Sequence, residues 1–251
     1  MAVPTYQGAT GGSISSSSIA GIAWVSGHQV DDLGMCIIGT SDRVNGAAGT
    51  HTTPTNFTLA PTNPSGFSTL TTGSCVQVEV ASRIATSTTE ANASFSGDLG
   101  SQFCKHLLFR GVDTTTPIET DAVGVNGTSA TSHTITTGLT SSTNDGLVVL
   151  IIAFDTDIGT PDTTLISAES NSNLTNVTKQ NSNQWNTNSG LGLHIFTGEL
   201  VTAGAVGNWS ITTTSGGTHA WWCGVLKSAN PSGGGGGTVL GGRKTLLGVG
   251  G

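Results

Sequence analysis

The chain has 251 residues, enough for one large β-sandwich or two small domains, and only 9% of them are charged, too few for solvated helix faces. Its 8 Lys and Arg are scattered among 15 Asp and Glu for a net charge of -7, which argues against a nucleic-acid groove, since neutralising phosphates takes clustered cations. The longest apolar run, Leu147–Phe154, is too short to cross a bilayer, and Met1–Thr10 carries neither the basic nor the apolar region of a secretion signal.

Residues 1–20 end in Gly-Gly-Ser-Ile-Ser-Ser-Ser-Ser and read as a flexible arm. From there the chain presents short runs rich in Val, Ile and Thr, separated by Gly, Ser, Asn and Pro, the pattern of an all-β protein. Asp32–Gly39 is an acid followed by an apolar strand, and Asn56–Leu59 is a short polar step. In Val76–Ile84, Val76, Val78 and Val80 alternate with Gln77 and Glu79, so one face is expected on a core and the other in water. Asn92–Ser96 and Phe103–Arg110 complete a first set, and Arg110–Ile135 crosses to a second. There Asp145–Ile152 follows an acid with a continuous apolar run, as in a strand covered on both faces. Asn173–Asn176, Gly192–Leu200, Asn208–Thr212 and Ala220–Lys227 then follow in the order of the first set, at an offset of about 113 to 117 residues.

A four-strand unit does not easily bury its own apolar face. The expectation is therefore an antiparallel β-sandwich over residues 21–229, jelly-roll-like, with repeats at about 25–112 and 138–229 packed as its two halves. Adjacent Trp221 and Trp222 are expected on opposite faces of one strand. Residues 230–251, Asn-Pro-Ser followed by a run of Gly, form a Gly-rich tail that composition alone would leave solvated. The rival reading is a docking tail, anchored in a neighbouring subunit by Leu240, Arg243, Lys244, Leu246 and Leu247.

The acid-led apolar strand, the Asn56-Phe57-Thr58 step, the alternating valines, Leu108–Ile118 (LFRGVDTTTPI) and Asp145–Phe154 (DGLVVLIIAF) together resemble a sandwich module of bacteriophage virion structural proteins, of head-decoration or tail and fibre type. The resemblance spans roughly residues 20–229, and the ending Gly241–Gly251 resembles glycine-rich termini of phage structural proteins. The second set departs from the pattern where Ser228-Ala229-Asn230 replaces the Gly111-Val112-Asp113 that follows Arg110. The resemblance implies a structural or adhesive role on the virion surface after assembly in the host cytoplasm, with other virion proteins and further copies of the chain as partners. It implies no catalytic residues and no cofactor. The alternative is an extracellular carbohydrate-binding module or adhesin that takes a host surface glycan.

Catalytic motifs do not emerge. There is no G-x-S-x-G turn and no H-E-x-x-H, and the His residues at 28, 51, 106, 133, 194 and 219 lie far apart in sequence. Asp31 and Asp32 are adjacent, so their side chains diverge, and they are read as the start of a strand rather than as a facing acid pair. Asp155, Asp157 and Asp162 bring hard oxygens onto one loop, which suits calcium, but the loop lacks the Gly and distal Glu of an EF-hand. A turn whose Asp side chains bond nearby amides is the preferred reading. Trp185, flanked by Asn183, Gln184 and Asn186 in a polar stretch, has the stacking face and amides of a sugar site, though a Trp folded onto the sandwich rim is the preferred reading. Cys36, Cys75, Cys104 and Cys223 sit in apolar runs without metal spacing and are expected as buried free thiols.

Overall fold

The computed structural model describes residues 2–15, 18–41, 51–60, 76–97, 101–155, 165–185 and 191–230. Within them the regular structure is entirely β: β1 (Thr5–Ser15), β2 (Ser18–Ile22), β3 (Leu33–Ser41), β4 (His51–Thr52), β5 (Thr58–Leu59), β6 (Gln77–Ile84), β7 (Ala93–Gly97), β8 (Ser101–Arg110), β9 (Ile118–Thr136), β10 (Thr140–Ser141), β11 (Gly146–Asp155), β12 (Ile166–Ser170), β13 (Thr175–Trp185), β14 (Leu191–Leu200), β15 (Gly204–Ala205) and β16 (Asn208–Leu226).

Two antiparallel sheets form the centre. One runs β1-β8-β3-β6-β5, and the other brings β9, β16, β11, β14 and β13 together in that order. Their facing surfaces share one apolar layer, in which Leu33, Met35 and Ile37 of β3, Leu107 and Phe109 of β8 and Val76, Val78 and Val80 meet Val149 and Ile151 of β11, Leu193 and Ile195 of β14 and Trp222 of β16. The outer face of each sheet is covered as well. The three-stranded sheet β2-β7-β4 lies over the first, enclosing Trp24, Cys36, Ile38, Phe95, Cys104 and Leu108. Over the second, Ile135, Trp209 and Ile211 enclose Val148, Leu150, Ile152, Phe154, Phe196 and Cys223.

The central sheets pack as an antiparallel β-sandwich, and among the described residues a further apolar layer lies on the outer face of each. This explains β6. Gln77 and Glu79, expected in water, are buried, because the face they occupy lies under the outer sheet. It also explains why β11 is buried at every position. Trp222 enters the layer between the sheets and Trp221 the layer outside the second sheet, so strand alternation places both indoles in apolar cores.

β16 shows how one strand serves two layers. Its first residues, from Asn208, alternate exposed and buried, while Ala220–Leu226 is buried throughout. At Ser210–Thr213 it pairs with β12, and from Thr218 to Leu226 it pairs with β11, with β9 along its other edge. In the first half β7 and β8 lie in different sheets.

Each central sheet holds an apolar strand paired antiparallel on both edges, β3 between β6 and β8 and β11 between β14 and β16. Ile37 lies opposite Val80 and Lys105, and Ile151 lies opposite Ile195 and Trp222. Among the described residues the non-glycine positions with left-handed backbone are Asp31 (φ 72), Asn56 (φ 66), Asp145 (φ 59) and Asn176 (φ 51). Asp31 and Asp145 each precede a central strand, and each donates its backbone N–H across the end of the sheet, to Ala85 O at 3.0 Å and to Val201 O at 3.2 Å. Asp and Asn are the non-glycine residues that most readily adopt this conformation. The register differs from the sequence comparison, however. By left-handed backbone, Asp31 rather than Asp32 lines up with Asp145, and Asn56 lines up with Asn176 rather than Asn173. Apolar residues on both faces allow a one-residue slip to look equally good in sequence.

The N-terminal segment, read as a flexible arm, instead contributes β1, paired with β8 from Thr5–Arg110 to Ser15–Gln102. The open edge of β8 supplies hydrogen-bond partners that poor apolar content does not reveal. The tail residues 231–251 lie outside the described residues.

Candidate functional site

A concavity lies at one pole, where strand ends from both halves converge. Asp32 stands just before β3 there, β8 ends there with Arg110, and Gly111–Pro117 leads from β8 toward β9. The carboxylate of Asp32 is almost fully buried and accepts a bidentate pair from Arg110, Nε to Oδ1 at 2.8 Å and Nη2 to Oδ2 at 2.7 Å, besides the backbone N–H of Gln29 at 2.8 Å. Arg110 Nη2 also donates to Gly27 O at 3.1 Å. The paired carboxylate raises the Arg110 pKa further. Planar fork-to-fork geometry of this kind fixes both side chains in direction as well as distance.

A second carboxylate ties the two halves. Asp113 accepts the backbone N–H groups of Thr115 and Thr116, each at 2.9 Å, and the ammonium of Lys227 at 3.0 Å. These bonds, led by that from Thr116, hold its pKa down to about 2. Alongside, Asp113 N donates to Lys227 O, Ala229 N donates to Gly111 O, and Val112 bridges to Ser228. Ser228 Oγ donates to Ala2 O at 3.1 Å, which brings the two ends of the described chain to the same place.

Around these groups opens a cavity of about 390 Å³, whose lining includes Asp31, Asp32, Arg110, Asp113, Thr115 and Ala229. A second groove of about 430 Å³ adjoins it at Thr115 and is more apolar, with Leu33, Leu59, Ile84 and Ile118 in its walls. Arg83 at its margin is paired with Glu90 at 2.7 Å.

Other polar groups serve the fold. Burial pushes Glu119 up, but hydrogen bonds from Ser142, Ser141 and Thr143 outweigh it and leave the carboxylate lowered. Trp222 Nε1 donates to Asp121 at 2.8 Å.

Histidines far apart in sequence meet in space. His133, His194 and His219 surround the ring of Phe154, with centroids 5.1, 5.8 and 5.4 Å away, and His133 and His219 are 4.7 Å apart. Burial, then the neighbouring His133, pushes His219 down to about 4. In the first half His106 lies 4.5 Å from Trp24, and burial, then His28, pushes it down to about 3. Sequence spacing carries no sign of the Phe154 cluster, because its members come from β9, β11, β14 and β16.

The residues singled out in sequence are not gathered at the pole. Asn183, Gln184 and Trp185 close β13, paired with Leu193, Gly192 and Leu191, so this polar stretch is strand and not loop up to Trp185. Asn186 lies outside the described residues. Asp155 is the buried last residue of β11, and Asp157 and Asp162 lie outside the described residues. Among the described residues no three His, Cys, Asp or Glu side chains are grouped so as to hold a metal. Cys36, Cys104 and Cys223 are buried free thiols, and burial pushes Cys223 up to about 12; Cys75 lies outside the described residues, as do Leu240, Arg243, Lys244, Leu246 and Leu247. The ion pairs of the pole were missed in sequence. The one signal for them is a cation, Arg110 or Lys227, at the end of an apolar strand in each half.

Compared with known protein families, curated proteins and solved structures, the chain matches none.

Proposed function

We propose that this chain is a structural protein of a bacteriophage particle, exposed on the virion surface in many copies and acting by docking to other virion proteins. The observation that carries this reading is where the charged side chains are used. In a chain with so few of them, Asp32–Arg110, Asp113–Lys227 and Arg83–Glu90 act as clamps between strand ends. Together with central sheets covered on both faces, they make a rigid, protease-resistant body. Such a body suits a surface component that must persist outside a cell, and the resemblance of Leu108–Ile118 and Asp145–Phe154 to a virion module agrees with it. In this reading the chain catalyses no reaction and takes no cofactor.

Purified particles from the source lysate provide the test. Antibody to the chain should label intact virions under the electron microscope, and the chain should stay with the particles through density-gradient sedimentation. A chain found only in the particle-free fraction would overturn the proposal. If that free chain also bound glycans, with binding lost in Trp185→Ala, the adhesin alternative would replace it.

A further inference from the structure

We propose that the pole of one copy receives the C-terminal tail of a second copy, with Arg243 and Lys244 in the acidic cavity and Leu246 and Leu247 in the apolar groove beside it. The inference rests on the multi-copy reading above and supplies the contact between copies.

The lining of the cavity contains three carboxylates, of Asp31, Asp32 and Asp113, and one cation, Arg110. Arg110 neutralises Asp32, and Lys227 neutralises Asp113. Asp31 is exposed, and among the described residues its carboxylate takes no hydrogen bond or ion pair. The cavity therefore keeps an excess of negative charge that a cation can meet. Residues 231–251 hold Arg243 and Lys244 and no Asp or Glu.

The order of chemistry along the tail matches the order along the surface. Lys244 is followed after one residue by Leu246 and Leu247. The acidic cavity passes at Thr115 into the groove walled by Leu33, Leu59, Ile84 and Ile118. Two cations and then two leucines fit an acidic pocket and then an apolar one, with the leucines covering the half-buried Leu59, Ile84 and Ile118.

Tail length selects a second copy. Ala229 lines the cavity itself, so a tail folding back on its own pole would need only a few residues. Arg243 instead stands beyond the Gly233–Gly237 tether, far enough along the chain to reach roughly 45 Å when extended. That is the span of a neighbour.

Carbodiimide coupling tests this on the purified full-length chain, independently of any particle. An equal mixture of ¹⁴N- and ¹⁵N-labelled chains is treated at low salt and digested for mass spectrometry. Mixed-isotope links from Lys244 to Asp31 or Asp113 are expected. They should fall at least tenfold in Asp31→Asn, which keeps the left-handed backbone, and several-fold in Leu246→Ser/Leu247→Ser, which keeps both charges. Links confined to single-isotope pairs, or spread equally over Glu169 and Glu199, would overturn the proposal. So would mixed links that ignore both variants. Mixed links in a chain that fails to label virions would leave the docking intact and remove only the virion reading.

Discussion

His106 and His219 are neutral in the folded chain because burial disfavours their charged forms. Both folded values, about 3 and about 4, lie below the ordinary histidine value of 6.5. As pH drops below 6.5 the unfolded chain takes up protons that the folded chain refuses, so stability is full above that value and is lost on acidification. Each histidine should remove about 1.4 kcal/mol per pH unit across its window. Urea midpoints should therefore be level above pH 7 and fall between pH 6.5 and 4, and His106→Leu/His219→Leu should flatten that fall. Asp113 acts in the same direction but lower, since its stabilisation is lost only as pH passes from about 4 toward 2. A slope at pH 5 that survives the double His variant would show that other groups control it.

The Asp32–Arg110 pair belongs to the same scale. Arg110→Ala leaves a buried carboxylate with only the Gln29 amide for company and should destabilise the fold by about 1–3 kcal/mol. Arg110→Lys, which supplies charge without the fork, should recover only part of that in the same denaturation experiment.

At the level of elements, much was legible in sequence. The continuous apolar run of β11, the alternating valines around β6 and the divergent tryptophans of β16 each follow from strand periodicity. What was misread has a physical source. Alternation separates two faces but does not say whether the second face meets water, so Gln77 and Glu79 were placed outside. β1 was invisible because its order comes from hydrogen bonds to β8 rather than from its own apolar residues. At β3 and β11, where both faces are apolar, sequence alone does not separate neighbouring registers. The pole was hidden because Asp32 and Arg110 approach only after β3 and β8 pair, and the Phe154 histidines because four strands deliver them.

Close packing between strands gives a sharp test at this scale. A Cβ on Gly124 would fall 2.4 Å from the indole of Trp221, and one on Gly34 would fall 2.6 Å from both Trp24 and His106. Gly124→Ala and Gly34→Ala should each destabilise by about 1–3 kcal/mol through overpacking. Thermal midpoints close to wild type would show that these rings move aside freely.

For the whole molecule, the apolar layer between the central sheets belongs to both halves, so neither can lose it alone. Leu107→Ala in the first half and Ile151→Ala in the second should each cost about 2–5 kcal/mol and shift one common transition, read identically by tryptophan fluorescence and far-UV circular dichroism. Two separated transitions would show that the halves unfold independently.

The end of β16 has a mechanical consequence. Leu226 is bonded to Leu147 on one side and to Ile118 on the other, and the chain runs from there to the pole within a few residues. A pull on the tail directed away from the pole first strains the Val112–Ser228 bridge and the Ala229–Gly111 bond. Beyond them the force runs along the axis of β16, parallel to its neighbours, so it shears many ladder bonds together instead of peeling them one by one. A chain tethered through its tail would hold against sudden traction far better than one pulled sideways from the edge of β9.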